Sequence, residues 1–186
     1  MRPSDSETPS LTGQLLVAHP NLRDPNFHKT VLFLSAHDGE DGAHGLVLNR
    51  PTNKSLTDFL PDHELDALGE IPVFFGGPVG VHELTIVSFD WVAGEAKITF
   101  HSQVSLEQVQ IMAGSGSKLI RAFVGYAGWA GGQLESELQQ SAWVVHPATE
   151  SILVNASNNG TWLDVMKGLG PAYHLRAIAP DDPSLN

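Results

Sequence analysis

Short apolar runs separated by Gly, Pro, Asn and Asp dominate the first hundred residues. Such runs, bounded by turn formers, are typical of buried strands. The run Thr30–Ala36, the turn Asp38–Gly42 and the run His44–Leu48 together predict a β-hairpin. The same pattern predicts strands at Leu11–Ala18, Val73–Phe75, Leu84–Phe89, Lys97–His101 (an edge strand), Leu119–Val124 (a central strand) and Trp143–Val145.

Helical patterns lie mainly in the second half of the chain. Ser55 with Asp58, and Ser105 with Gln108, have the spacing of capping boxes, so helices are expected through Leu60 and over Leu106–Ala113. Two further helices are predicted over Gly132–Gln140 and Thr161–Lys167, the second ending at a glycine. Hairpins first and helices later indicate an α+β, or mixed α/β, fold.

The length of 186 residues predicts one domain, over residues 11–178. Residues 1–10 are polar and contain two prolines, which predicts a disordered lead-in, and residues 179–186 are expected to form a loose tail. No secretory signal or membrane-spanning run is recognisable, and the chain has no cysteine. We therefore expect a cytoplasmic protein that has no membrane partner, and we expect no disulfide.

The net charge of −11, with only ten scattered Lys and Arg residues, argues against a polyanion partner. Binding to nucleic acid requires clustered cations that neutralise phosphates. Direct DNA or RNA binding is therefore disfavoured.

Known catalytic and cofactor motifs are missing from the sequence. His63-Glu64 and His82-Glu83 lack the second histidine of a zincin, and no nucleophile elbow or phosphate-binding loop occurs. His37 and His44 flank an acidic turn, which leaves an incidental surface metal site open, but solvated turn residues are the preferred interpretation. We predict no metal and no cofactor.

The segment Gly125–Glu137 contains more glycine and aromatic residues than a turn needs. We predict that it connects the strand ending at Val124 to a helix beginning near Gly132. Backbone N–H groups at that helix start could hold a ligand, with Tyr126 and Trp129 as an aromatic wall. The alternative is tight packing, in which Gly125 and Gly128 allow close backbone approach.

Two other predicted strand ends, Asn49–Pro51 and Gly76–Val79, are also rich in Gly and Pro. We predict that the three turns form one cleft, on condition that they meet in space. Its candidate ligand-binding residues are Asn49, Arg50, Pro51, Gly76, Gly77, Pro78, Tyr126, Gly128, Trp129, Gly132 and Gln133.

The ordered motifs taken together resemble the YqgE/AlgH family of bacterial proteins. The residues that carry the resemblance are Asp24-Pro25-x-Phe27, Gly42–Pro51, Gly76–Val79, Gly125–Trp129, Gly132–Glu137, Trp143 and Trp162. The sequence departs from the family pattern at His44, where relatives usually have Met or a similar residue, and at His19, where they often have Met before the proline. The resemblance implies a bent mixed sheet that closes into a pseudo-barrel, and a label of transcriptional regulator.

We expect a non-catalytic module that binds a small ligand or a protein partner and has an indirect regulatory role. One alternative is an enzyme, with hydrolysis as a candidate reaction, that uses His28 or His146 as a base and Asn49 and Gln133 as oxyanion donors. A second alternative is a DNA-binding regulator. The sequence predicts neither the ligand nor the oligomeric state.

Overall fold

The computed structural model describes residues 9–62, 69–92, 95, 97–112, 118–158 and 160–179. Within these ranges the chain forms nine strands and six helices. The strands are β1 (Gln14–Ala18), β2 (Val31–Asp38), β3 (Gly42–Val47), β4 (Pro51–Ser55), β5 (Pro72–Phe75), β6 (Val79–Trp91), β7 (Ile98–His101), β8 (Lys118–Trp129) and β9 (Trp143–Pro147). The helices are α1 (Leu56–Phe59), α2 (Leu106–Met112), α3 (Gln133–Gln139), α4 (Glu150–Asn155), α5 (Gly160–Gly168) and α6 (Pro171–Ile178).

All nine strands belong to one mixed sheet, which confirms the predicted α+β class. Its main path runs β4-β5-β8-β3-β2-β1-β9, and β6 pairs with both β8 and β7. Among the described residues the end strands β4 and β9 do not pair with each other, so the sheet stays open. The barrel-like closure that the family resemblance implied is therefore not seen.

Strand β8 is the centre of the architecture. Its first half pairs in parallel with β5 and antiparallel with β6, and its last three residues pair with β3. Phe123 and Ala127 belong to a large core with β1–β3 and α4–α6, whereas Ala122 belongs to a second core with α1 and α2. Both faces of the central strands are thus largely covered by apolar side chains, which explains why Leu119–Val124 is apolar at every position except Arg121.

The predicted hairpin is confirmed and contains one irregularity. Leu34 pairs with Gly45 and Ala36 pairs with His44, so Ser35 is an extra residue on β2. This is a β-bulge, which redirects side chains and is frequent next to functional sites.

Both predicted capping boxes are confirmed. The Ser55 backbone N–H donates to Asp58 Oδ2 at 2.8 Å, and the Ser105 backbone N–H donates to Gln108 Oε1 at 2.8 Å. Gln108 N donates in return to Ser105 Oγ at 3.2 Å. The expected end of α2 at Ala113, and most of the two expected loose termini, lie outside the described residues.

Several element predictions were wrong or incomplete. Gly125–Trp129 is not a connection but the second half of β8, because backbone pairing with β3 continues the strand through its glycines. Strand β4 was missed because it is a polar edge strand that begins at a proline. Helices α4 and α6 were also missed, and each has only one buried residue, Leu153 and Ala177 respectively, so neither shows a strong apolar stripe.

None of the described helices combines the length and the apolar character that crossing a membrane requires.

Candidate functional site

The pairing partner of β8 changes from β5 to β3 along the strand, and Gly77 and Gly125 lie at this change. Gly76 N donates to Val124 O at 2.9 Å, and Val47 N donates to Gly76 O at 2.9 Å. A Cβ atom on Gly125 would overlap the Gly77 carbonyl oxygen, and Gly125 has a φ of +71°. Glycine is therefore required here by both close approach and backbone conformation. The contacts of Gly125 therefore agree with the tight-packing alternative, in which glycine allows two backbone segments to approach closely.

The Asn49–Pro51 turn contacts the end of β5, directly before the Gly76–Val79 turn, through a backbone hydrogen bond. Phe75 N donates to Arg50 O at 2.8 Å. Asn49 is fully buried; its Oδ1 accepts from Val31 N at 2.9 Å and its Nδ2 donates to Lys29 O at 3.0 Å. Its side chain ties β2 to the end of β3.

Arg50 holds the preceding loop. Its guanidinium donates to the carbonyl oxygens of Asn26 at 2.7 Å, Pro25 at 3.2 Å and His28 at 3.2 Å. Burial lowers the pKa of Arg50, and Asp24 partly opposes that effect. The contacts seen for this cation are with backbone carbonyls of the loop.

The far end of the glycine-rich segment belongs to a different neighbourhood. Gly132 N donates to Gly39 O at 3.1 Å, in the hairpin turn. Gln133 Oε1 accepts from Ala130 N at 3.1 Å and its Nε2 donates to Glu137 Oε1 at 3.0 Å. A strand advances about 3.3 Å per residue, so Gly125 and Trp129 are about 13 Å apart.

Glu137 joins two tryptophans of this second neighbourhood. Its Oε2 accepts from Trp129 Nε1 at 2.9 Å and from Trp143 Nε1 at 2.8 Å. The two rings meet edge to face at 6.1 Å, and Phe27 packs against both. Trp143 and Trp162 are buried in the core, and so is Trp129, which we predicted as an aromatic wall of the cleft.

The predicted cleft is consequently divided. The Asn49–Pro51 and Gly76–Val79 segments meet at the start of Gly125–Trp129, mainly through backbone contacts. Trp129, Gly132 and Gln133 lie at the other end of that segment, against the hairpin turn and α3.

A cavity of about 550 Å³ lies beside the close contact of Gly77 with Gly125. Tyr126 and Gly125 of β8, and His44 and Leu46 of β3, form part of its wall. The remaining lining residues come from β2, β6, β7 and the segment after β7: Ser35, Ala36, Glu83, Thr85, Val87, Phe100, Ser102 and Gln103. Of the eleven residues predicted from sequence, Tyr126 is the one that lines this cavity.

Ser35 and His44 form a hydrogen-bonded pair in the cavity wall. Ser35 Oγ lies 2.6 Å from His44 Nδ1 and 3.1 Å from the His44 carbonyl oxygen. The imidazole stacks on Tyr126 with ring centroids 4.6 Å apart and an interplanar angle of 25°. Burial lowers the pKa of His44, which favours the neutral form of the ring. The sequence did not reveal this pair, because the bulge at Ser35 decides which side chains meet.

Three further histidines that the structure describes, His37, His28 and His146, have different surroundings. His37 is buried; its Nδ1 accepts from Leu11 N at 3.0 Å and its Nε2 lies 2.8 Å from Glu135 Oε1. His37 is therefore not the solvated turn residue that we predicted. His28 Nδ1 lies 2.9 Å from Leu22 O, and His146 lines a separate cavity next to α4 and α5.

The other unusual ionisable group is Arg121, which is buried in the core. It donates to Leu153 O at 2.7 Å and to Leu48 O at 3.4 Å, and it lies 4.6 Å from the Phe74 ring centroid. Burial lowers its pKa to about 10. It joins β8 to the last turn of α4, where carbonyl groups attract a cation.

The fold and its cavity define a class of single-domain α+β proteins with an open mixed sheet. The AlgH-like family model matches residues 15–174, so the chain belongs to the AlgH-like family. UPF0301 proteins of Streptomyces avermitilis and Streptomyces coelicolor are 37% and 38% identical to it. Each alignment covers 97% of this chain and 98% of the relative.

Two solved structures share the fold. The solution structure of the AlgH protein from Pseudomonas aeruginosa matches with a TM-score of 0.66 and 28% identity, over 98% of this chain and 100% of that one. A crystal structure of a Corynebacterium diphtheriae protein matches with a TM-score of 0.70 over 94% of this chain and 95% of that one. At 20% identity, the second likeness concerns the fold alone.

Proposed function

We propose that this protein is a ligand-binding module whose site is the cavity lined by Tyr126, His44 and Gln103, which we call the Tyr126 cavity. Any regulatory role is then indirect, exerted through the ligand or a partner protein. We further propose that it acts in the cytoplasm. The observation that carries the proposal is the convergence of five chain segments on one concave, partly polar space.

The size and lining of the Tyr126 cavity suit a small organic molecule. Its volume of about 550 Å³ lies within the range of known ligand pockets, about 300–1,000 Å³. Leu46, Val87 and Phe100 supply apolar surface, while Glu83 and Gln103 supply polar groups. Such a combination gives affinity through apolar contact and orientation through a few hydrogen bonds.

A strained residue borders the cavity. Gln103 has a φ of +56°, in the left-handed region that side chains other than glycine avoid. Strain of this kind is common at functional sites, where surrounding contacts hold it in place. This conformation supports the Tyr126 cavity as the site.

Charge narrows the class of ligand. The chain carries a net charge of −11, and Glu83 lines the cavity. A neutral or weakly polar molecule is therefore favoured over a phosphorylated one. Direct DNA binding also stays disfavoured, because the ten Lys and Arg residues are scattered along the sequence and are outnumbered by 21 Asp and Glu residues.

Five of the residues predicted from sequence also contribute to the proposed site. Tyr126 forms a wall of the cavity, and the tight contact of Gly76 and Gly77 with β8 sets the position of that wall. Asn49 and Arg50 contribute by holding the loop before β2 against β3.

Native mass spectrometry of the gently purified protein, compared with its denatured mass, tests the proposal. We expect a bound small molecule that is released on denaturation. Ala36 is exposed in the cavity wall, so Ala36→Trp should fill the space and remove the bound mass. Val154→Trp, at an exposed position on α4 outside the cavity, is the matched control and should retain it.

Two outcomes would contradict a small-ligand site. A bound mass that survives Ala36→Trp places the ligand elsewhere. A clean unliganded mass, together with a protein captured from lysate whose binding Ala36→Trp leaves intact, favours a protein-binding surface away from the cavity.

A further inference from the structure

We propose that Ser35 is a nucleophile and His44 its general base, and that together they cleave a small, uncharged carboxylic ester bound in the Tyr126 cavity. This inference rests on the proposed ligand site and adds a reaction to it. It replaces the expectation of a non-catalytic module, which depended on the lack of a recognisable catalytic motif in the sequence.

The first argument is the geometry of the pair. A serine hydroxyl becomes a useful nucleophile when a neighbouring base can accept its proton within hydrogen-bond reach, about 2.6–3.2 Å. Ser35 Oγ and His44 Nδ1 are 2.6 Å apart. The bulge places Ser35 as an extra residue opposite His44, so the contact depends on a local irregularity of the strand.

The second argument is the environment of the base. Burial lowers the pKa of His44 and so favours the neutral imidazole, which is the form that accepts a proton. Tyr126 stacks on the ring and holds its plane, which makes Tyr126 a positioning residue. The ionisable residues that line the spaces bordered by His44 are Glu83, Tyr126, His37, Asp38 and Asp41.

The third argument is the lining around Ser35. Phe100, Val87 and Leu46 offer apolar surface for a short acyl chain. Gln103 lines the same cavity and carries an amide donor, the kind of group that stabilises a developing oxyanion. The acidic charge of the chain and the carboxylate of Glu83 disfavour an anionic ester.

The reaction has two steps. Ser35 Oγ attacks the ester carbonyl carbon while His44 Nδ1 takes the hydroxyl proton. The bond from that carbon to the leaving oxygen then breaks, and His44 returns the proton to the departing alcohol. Water next attacks the acyl–Ser35 ester, with His44 again accepting and returning a proton, so that a carboxylic acid is released and Ser35 is restored.

The probe is p-nitrophenyl butyrate, with release of p-nitrophenol followed by absorbance and the protein followed by intact mass. We expect one butyryl adduct, mapped to Ser35. Ser35→Ala should abolish it, and His44→Gln should slow acylation about 100-fold or more, the usual contribution of a general base. His146→Gln and Ser151→Ala, which alter a serine and a histidine of the separate cavity, should leave the rate unchanged.

A second variant guards against a folding defect. If Ser35→Ala lowers the melting temperature, Ser35→Cys keeps a nucleophile of similar size and should move the adduct to sulfur. Labelling that is spread over several residues, or that persists in His44→Gln at the wild-type rate, would overturn the inference.

The inference and the proposed function fail in different ways. N-(4-nitrophenyl)butanamide has the shape of the ester but a far less reactive carbonyl, so its binding can be measured by saturation-transfer NMR. Binding that Ala36→Trp removes, without any adduct from the ester, overturns the catalytic inference and retains the ligand site. Absence of both binding and adduct overturns the inference and also counts against the cavity as a site for this class of ligand.

Discussion

Gly125 packs against the carbonyl oxygen of Gly77 so closely that a Cβ atom would overlap it. This contact between β8 and the segment that follows β5 fixes where Tyr126 enters the cavity, two residues beyond the last apolar residue of the predicted strand. The contact explains why glycines occur inside a central strand, where they otherwise weaken pairing.

Gly125→Ala should therefore be strongly destabilising. It introduces both an overlap with backbone and a left-handed conformation for a residue with a side chain, so we expect a loss of about 4 kcal/mol or more in the free energy of unfolding. Urea denaturation measures it.

The variants Gly132→Ala and Gly128→Ala distinguish the effect of backbone conformation from that of steric overlap. Gly132 has a φ of +74° and open space around its Cβ position, so Gly132→Ala should cost about 1 kcal/mol from conformation alone. Gly128 meets only the Tyr126 ring, at 3.4 Å, and Gly128→Ala should be tolerated better than either. Equal losses of unfolding free energy in all three variants would show that the close contact of Gly125 with Gly77 is not the cause.

Glu137 should stabilise the protein through its two indole partners. Glu137→Ala removes the acceptor of both Trp129 and Trp143, and an unpaired buried donor costs about 1–3 kcal/mol. We expect a loss of about 3 kcal/mol in unfolding free energy and a change in tryptophan fluorescence. Gln139→Ala, at an exposed position on the same helix, should stay within about 0.5 kcal/mol of wild type. A silent Glu137→Ala would contradict the role of this acceptor.

Arg121→Ala should be among the more damaging core substitutions. It leaves the carbonyls of Leu153 and Leu48 without this donor and opens a cavity beside Phe74. We expect a loss of about 3–5 kcal/mol, measured by chemical denaturation. Lys118→Ala breaks a partly exposed ion pair with Asp90, 3.3 Å long, and should cost less than about 1 kcal/mol. If both variants lose the same amount, burial of Arg121 is not the determining factor.

His44 should make the protein less stable in mild acid. Its folded-state pKa lies below the unfolded value of 6.5, so the unfolded chain binds more protons and stability falls as the pH drops below about 6.5. His44→Gln should reduce this slope in unfolding free energy between about pH 6.5 and 5, measured by urea melts at several pH values.

Among the histidines that the structure describes, His19 also has a lowered pKa and provides the comparison. Burial and the nearby charge of Arg176 both lower the pKa of His19, so part of the acid slope should remain in His44→Gln and become smaller in a variant that also carries His19→Gln. An unchanged slope in His44→Gln would mean that its ring is protonated as readily in the folded as in the unfolded chain.

The sequence by itself determined those features that depend on neighbours along the chain. The β2–β3 hairpin, both capping boxes and the family follow from short patterns, because turn residues and caps act within a few positions. The acidic charge, which disfavours a nucleic-acid partner, is also a property of composition alone.

Only the tertiary structure decided which distant residues share a site. Gly125–Trp129 became a strand because β3 was available to pair with it, a contact between segments about eighty residues apart. Ser35 meets His44 because one extra residue in β2 shifts the register, and a one-residue shift changes which face a side chain occupies. Local patterns predict that the hairpin forms, but they do not predict where a bulge falls in it, nor which strand about eighty residues away will pair with β3.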